Sequence, residues 1–334
     1  MSLRGYILKR LAYTIFLVFF VIVVNWLIFQ AMPGVQGAIA SLQGSGGANL
    51  NRQKQYDFYA RQYGLNQPPL QRFLTYFWDM LTFHFGNSYQ TQQPVVYDLI
   101  NSGRLVNTLT LLGSSVMLSI VIGVLLGVVA ASRRGSSVDS ISVTASLTTF
   151  SLPTFWMGIT FITIFSAILN WFPPGNYVPN SWAQFGTPPW PEYIFVRLQY
   201  LFLPVLVLTL FQYGGFLLLT RATMLETLSE DYVTTARAKG LKERVVLYKH
   251  ALKNASLPIV TASALSFGGV LGGAIITETV FNLDGIGLWL FNAIFNKDFP
   301  VMQAMFYILA LSVIAANFIS DLIYGIIDPR IRYE

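Results

Sequence analysis

The sequence predicts an all-α integral membrane protein, a single polytopic domain over residues 1–334 with about six transmembrane helices and both termini in the cytoplasm. Composition, the spacing of ionisable residues and the placement of lysine and arginine lead to this. Of the 334 residues 54% are hydrophobic and only 11% are charged, against about 25% charged in an ordinary soluble domain. So few charges cannot cover a water-soluble surface of this size.

Ionisable residues vanish over stretches long enough to cross a hydrocarbon core of about 30 Å, which takes about 20 helical residues. The first span runs from Leu11 to Met32 behind Arg4, Lys9 and Arg10, and its apolar run exceeds the ~7–15 residues of a signal-peptide core. The second covers Leu105 to Ser132, the third Ile141 to Trp171, the fourth Leu201 to Thr220, the fifth Leu257 to Phe281 and the sixth Val301 to Ile327. Residues 105–327 thus form a core of five spans.

Basic residues near span ends stay on the cytoplasmic side. With the N-terminus inside, fourteen of the 21 lysines and arginines are cytoplasmic. Of the seven outside, Arg52, Lys54, Arg61, Arg72 and Arg104 share one long loop, where the bias is weak.

The long outer loop, residues 33–104, opens Gly/Gln/Asn-rich and then places Leu70, Phe73, Leu74, Phe77, Met80 and Leu81 at helical spacing. An amphipathic helix follows, lying on the membrane surface, capping a path or docking a delivery protein. The loop from Phe172 to Pro191 holds six prolines, which exclude regular helix or central strand. Trp171, Trp182 and Trp190 belong near lipid headgroups.

The most polar stretch is the cytoplasmic loop of residues 221–256. Ser229 is an N-cap candidate, Glu230 and Asp231 suit the first turn of a helix, and Ala236 and Ala238 are small. Gly240 interrupts the pattern. Val245, Leu247 or Tyr248, and Leu252 then make a second apolar stripe leading to Pro258. Two short helices with a glycine bend would form a rigid knuckle suited to transmitting force. The same spacing also fits a basic amphipathic helix resting on anionic lipid.

Catalytic chemistry finds little support. With no cysteine and only His84 and His250, thiolate nucleophiles and cysteine or histidine metal clusters are excluded. There is no G-x-x-x-x-G-K-[ST] nucleotide loop, and no paired nucleophile and base such as an intramembrane protease needs. The net charge of +6 is not gathered into an aromatic-interleaved patch, so no nucleic-acid partner is indicated. An ion-coupled secondary transporter or channel would carry mid-membrane carboxylates or histidines; Glu278 and Asp321 fall toward span ends instead. A purely structural scaffold leaves the polar knuckle unexplained.

The series Glu230, Asp231, Tyr232, Val233, Thr235, Ala236, Arg237, Ala238, Lys239, Gly240, followed by His250, Ala251, Leu252, Asn254, Leu257 and Pro258, resembles the cytoplasmic motif of prokaryotic ABC importer permeases of the dipeptide/oligopeptide branch. Arg10-Leu11, Tyr63-Gly64-Leu65 with Gln67-Pro68, Phe85-Gly86 with Ser88-Tyr89, Glu278 to Phe281 with Gly285-Ile286-Gly287, and Asp328 to Tyr333 are similar to that branch too. Pro33-Gly34 departs from it, being followed by Val35-Gln36 instead of the usual Asp-Pro.

The resemblance implies a type I importer permease in a prokaryotic cell membrane, without an ATPase site of its own. Glu230, Asp231, Tyr232, Ala236, Arg237, Ala238, Lys239, Gly240 and Leu241 would couple to the ATPase, and Glu278, Phe281, Gly285 and Gly287 would lie at an external gate or binding-protein contact. It implies as partners a second homologous permease, two cytoplasmic ATPase subunits or domains and an extracytoplasmic substrate-binding protein, within membrane lipid. No cofactor is expected on this chain, ATP and Mg belonging to the ATPases. Members of the branch carry peptides, nickel complexes or oligosaccharides, and peptide is the expected substrate.

Overall fold

A computed structural model describes residues 3–31, 68–179, 181–182, 186–268 and 274–327. The Gly-rich stretch after Pro33-Gly34, the basic residues Arg52, Lys54 and Arg61, the Tyr63-Gly64-Leu65 and Gln67 positions and the ending Asp328 to Tyr333 lie outside the described residues.

The helices are α1 (Leu3–Ala31), α2 (Pro69–Leu81), α3 (Val95–Asn101), α4 (Arg104–Ser132), α5 (Ser137–Ser151), α6 (Thr154–Phe161), α7 (Trp190–Leu228), α8 (Asp231–Ala238), α9 (Glu243–Val245), α10 (Leu252–Gly268), α11 (Ile275–Val280), α12 (Ile286–Phe295) and α13 (Phe299–Ile327). Among the described residues α1, α4, α7 and α13 are long and apolar enough to cross a membrane, and the pair α5 and α6 makes a fifth such unit. The predicted span from Leu257 to Phe281 corresponds to α10 and α11, with residues 269–273 between them outside the described set.

Three spans differ from their sequence-based form. The third is not one straight helix: α5 and α6 meet at 96°. Pro153 lacks an N–H, and Leu152 before it is extended with ψ 131°, as steric conflict with the proline ring demands. The fourth is longer at both ends, a 39-residue helix from Trp190 to Leu228. Pro191 falls in its first turn, where a missing N–H loses nothing, and residues 221–228, expected in the cytoplasmic loop, continue the helix. The first begins near Leu3, so Lys9 and Arg10 lie within α1.

Helices α4 and α7 form the central pair. Ser115, Ser119, Gly123, Gly127 and Ala131 recur every fourth residue of α4, where one face repeats. The buried stripe faces α7: a Cβ on Gly123 would lie 2.5 Å from Cβ of Phe216, and one on Gly127 2.6 Å from Cβ of Thr220. Close backbone approach over small residues is how helices associate where water provides no drive. Ser119 Oγ donates to the carbonyls of Ser115 (2.7 Å) and Thr209 (3.3 Å). The order of these contacts makes α4 and α7 parallel, and α5–α6 returns the chain between them.

Helices α1 and α13 are antiparallel. Asn25 Nδ2 donates to the Gln303 carbonyl at 3.2 Å, Phe29 meets Phe299 edge-on, and Arg10 pairs with Asp321 at 2.8 Å. The amphipathic segment forms α2 as expected, yet its apolar residues divide. Phe73 and Phe77 pack on Trp26 and Phe19 of α1 and Met80 is buried, whereas Leu70, Leu74, Leu81 and Trp78 are exposed.

Two cores result. One joins α1, α2 and α3 to α12 and α13 through Ile22, Phe29, Val95, Leu290 and Met305. The other joins α4, α6 and α7 to the α11–α12 turn through Leu111, Met157, Leu203, Phe281 and Leu283.

Candidate functional site

The polar knuckle is built at the end of α7. Glu230 is the N-cap of α8, with extended backbone (φ −75°, ψ 146°). Ser229, the candidate from sequence, instead closes α7, its hydroxyl donating to the Glu226 carbonyl at 2.6 Å. A cap must leave helical dihedrals, and Ser229 is still helical (φ −86°, ψ −7°). Val233 and Ala236 turn inward and pack on Val246 and Leu228, making a small core that fastens α8 to the end of α7 and to the returning chain.

Ala238, by contrast, is exposed, as are Glu230, Asp231, Tyr232, Arg237, Lys239, Gly240 and Leu241. Tyr232 and Leu241 each leave 40% of their surface open. The surface thus combines an apolar ring and a branched aliphatic chain with charges of both signs.

Gly240 takes the left-handed conformation (φ 73°), which costs an L-residue about 1–2 kcal/mol, and its N–H bonds the Arg237 carbonyl at 2.9 Å. This is the predicted bend. Arg237 reaches across it to Glu243 at 2.7 Å, and that guanidinium holds the Glu243 carboxyl below its ordinary value.

The second apolar stripe holds at Leu247 and Leu252 and differs from expectation elsewhere. The chain after Lys242 passes from α9 through a π-helical turn, Val246–Ala251, into α10. The wider turn shifts the buried side to Val246, Ala251 and Ala255, with Leu247 and Leu252 packed beside Val128, Ala131 and Met224. Tyr248 is left exposed. A 3.6-residue template misplaces such a face by one residue.

At the opposite end of α4 and α7 lies the second group. Glu278 is fully buried. Its Oε1 accepts from Thr108 Oγ1 at 2.8 Å and its Oε2 from the Leu288 N–H at 2.9 Å, with Gly287 as a further backbone donor. Thr108 Oγ1 in turn accepts from the Ile286 N–H at 2.8 Å. Together the two side chains cap α12, satisfying N–H groups that a helix start leaves free and placing a carboxylate at the positive end of its dipole.

Both glycines are dictated by this contact. A Cβ on Gly285 would sit 2.5 Å from Glu278 Oε2, and one on Gly287 2.8 Å from Cα of Ile275. Phe281 is 1% exposed and packs on Gly158, while its carbonyl accepts from Asn176 N–H at 2.9 Å. Glu278, Phe281, Gly285 and Gly287 are therefore all interior in this conformation, and they hold the α11–α12 segment together.

Beside it lies a half-buried network, open to the surface at Asp284, that sequence reasoning missed. Arg104 pairs with Asp284 at 2.8 Å and lies over Trp289. Asn107 donates to the Asp284 carbonyl, and Arg197 donates to Asn107 Oδ1, both at 2.8 Å. The partners are some 90 and 180 residues apart in sequence, so no local motif announces them. Among the described residues no group of three metal-ligating side chains occurs.

The described residues thus form an assembly of helices with several apolar spans, a parallel central pair and an exposed knuckle that follows α7. The family described as binding-protein-dependent transport system inner membrane component matches residues 123–333, and the chain belongs to it. It is 34% identical to the oligopeptide transport system permease protein AppB of Bacillus subtilis over 99% of this chain and 100% of that one. It is 32% identical to the dipeptide transport system permease protein DppB of Escherichia coli, over 98% and 99%. Against the di/tripeptide transport system permease protein DppB of Pseudomonas aeruginosa identity is 35% over 81% and 83%.

Proposed function

We propose that the chain is a permease subunit of an ATP-driven peptide importer in a prokaryotic plasma membrane, with six spans and both termini cytoplasmic. It forms half of a translocation path with a second, related permease. A binding protein delivers peptide from outside, and two cytoplasmic ATPase subunits, which hold the ATP and Mg, dock on α8. The relatives' names favour peptide over oligosaccharide as the cargo.

One observation carries the reading. The helix α8 is locked to the 39-residue α7 by Val233 and Ala236 while Tyr232, Ala238, Lys239 and Leu241 remain open, so a push on this surface acts on a rod that spans the membrane. A basic helix on lipid needs no such anchoring.

The test is ATP hydrolysis by the complex purified with its partner subunits, with and without binding protein loaded with peptide or oligosaccharide. The intact chain is compared with Gly240→Pro plus Glu230→Lys, which breaks the bend, and with Tyr232→Glu plus Leu241→Asp, which alters exposed side chains alone. The expected result is loss of substrate-stimulated hydrolysis in both variants, with the surface variant as thermostable as wild type. Unchanged hydrolysis and transport would overturn the docking role, and stimulation by oligosaccharide alone would overturn the substrate.

A further inference from the structure

Arg221 and Asp139 join α7 to α5. The guanidinium meets the carboxylate as a fork, Nε to Oδ1 at 2.6 Å and Nη2 to Oδ2 at 2.8 Å. Asp139 is 4% exposed, and its Oδ2 also accepts from the Gly135 N–H at 2.9 Å. Ser136 caps the start of α5 by accepting from the Asp139 N–H, so the carboxylate belongs to a fixed first turn. A planar two-point contact resists sliding and rotation in a way a single charge does not.

The pair sits two turns before α7 ends and α8 begins. On its other side is α5, half of the bent unit whose second half, α6, packs against the α11–α12 segment: a Cβ on Gly158 would lie 3.0 Å from Val280 and 3.2 Å from Phe281. Farther along, α5 meets α7 where Gly214 lies against Ser146 and Phe150 stacks on Phe211 at 5.4 Å, contacts that carry no paired charge. Of the contacts between α5 and α7, this ion pair is the charged two-point one and stands nearest α8.

We propose that Asp139 and Arg221 are a positioning pair that makes α5 travel with α7 when α8 is displaced, tying movement at the knuckle to the bent α5–α6 unit. The proposal rests on the reading of α8 as the docking surface of the ATPase. A pair needed merely for folding would lower stability and leave the transport yield per ATP untouched. A coupling clasp changes that yield.

The chain has no cysteine, so Thr144→Cys on α5 and Ala222→Cys on α7, both exposed, can carry spin labels in the complete complex. The α5–α7 distance is measured without nucleotide and in an ATP-trapped state, together with peptide transported per ATP hydrolysed. With the clasp intact the expected distance is the same in both states. Asp139→Asn and Arg221→Lys are each expected to make it state-dependent and to lower transport per ATP about fivefold or more. The exchange Asp139→Arg with Arg221→Asp is expected to restore part of the yield.

A yield per ATP unchanged in Arg221→Lys, or an α5–α7 distance that changes with nucleotide in the wild type, overturns the proposal. Asp139→Asn is read beside Arg221→Lys because it leaves Arg221 half-buried and unpaired and the chain can fail to fold. Failure of the docking reading is seen separately, as normal hydrolysis in the Tyr232→Glu plus Leu241→Asp variant.

Discussion

Replacing Glu278 tests whether the α11–α12 segment is held by a buried cap or works as a directly contacting gate. Its carboxylate receives donors from Thr108, Leu288 and Gly287 and is fully buried. In Glu278→Ala these donors lose their acceptor at about 1–3 kcal/mol each, partly relieved because Thr108 can rotate its hydroxyl toward a carbonyl of its own helix. A cavity the size of the lost side chain adds to this. The expected destabilisation is about 3–6 kcal/mol.

Glu278→Gln keeps the shape and one carbonyl for the backbone donors. It loses the interaction of charge with the helix start, about 0.3–2 kcal/mol, and turns an NH2 toward the Thr108 hydroxyl. About 1–2 kcal/mol is expected. Both changes are measured by equilibrium unfolding of the purified permease pair, alongside peptide uptake. A cap predicts that stability and uptake fall together, alanine well beyond glutamine. Wild-type stability in Glu278→Ala, with uptake abolished, would refute the argument.

Gly123→Val introduces a Cβ 2.5 Å from Phe216 and a branched side chain beyond it, so the α4–α7 pair cannot close; the expected outcome is loss of folded protein in the membrane, read by fluorescence-detected size exclusion. Gly240→Ala meets no neighbour and retains the left-handed strain alone, about 1–2 kcal/mol, measured as a small drop in unfolding midpoint. Glu243 is depressed in the folded chain by Arg237; its contribution is fully present above the ordinary carboxylate value of 4.5 and is lost as pH falls through the lower folded value. Because both side chains are about half exposed, Glu243→Gln is expected to change stability at pH 7 by less than about 1 kcal/mol, measured by thermal unfolding in low and high salt.

The knuckle was readable because its determinants are local. A helix start with acidic residues, a glycine for the left-handed turn and a proline at the membrane entry act within a few residues of one another. Ala236 shows the limit. The sequence reading assigns it and Ala238 the same part, as small residues under an approaching partner, yet the two-residue step, about half a turn of helix, sets Ala236 against Val246 and Ala238 in the open.

The outer group shows a second limit. Sequence reading marks Glu278, Gly285 and Gly287 for an external gate or binding-protein contact, and the structure adds that they are parts of a cap whose fourth member is Thr108. No periodicity joins Thr108 to a carboxylate 170 residues away. The same holds for Asp139 and Arg221: one was passed over, and the other counted as a marker of sidedness.

By itself the sequence determined the class of molecule, the approximate place of the apolar stretches, and the knuckle, because hydropathy, proline and glycine act on the chain locally. Tertiary structure alone decided which face of α8 is open, which apolar residues of α2 meet α1, and which charges find each other. Those outcomes depend on the surface a distant helix presents. A buried carboxylate has its meaning from the donors around it, and these come from parts of the chain that only folding brings together.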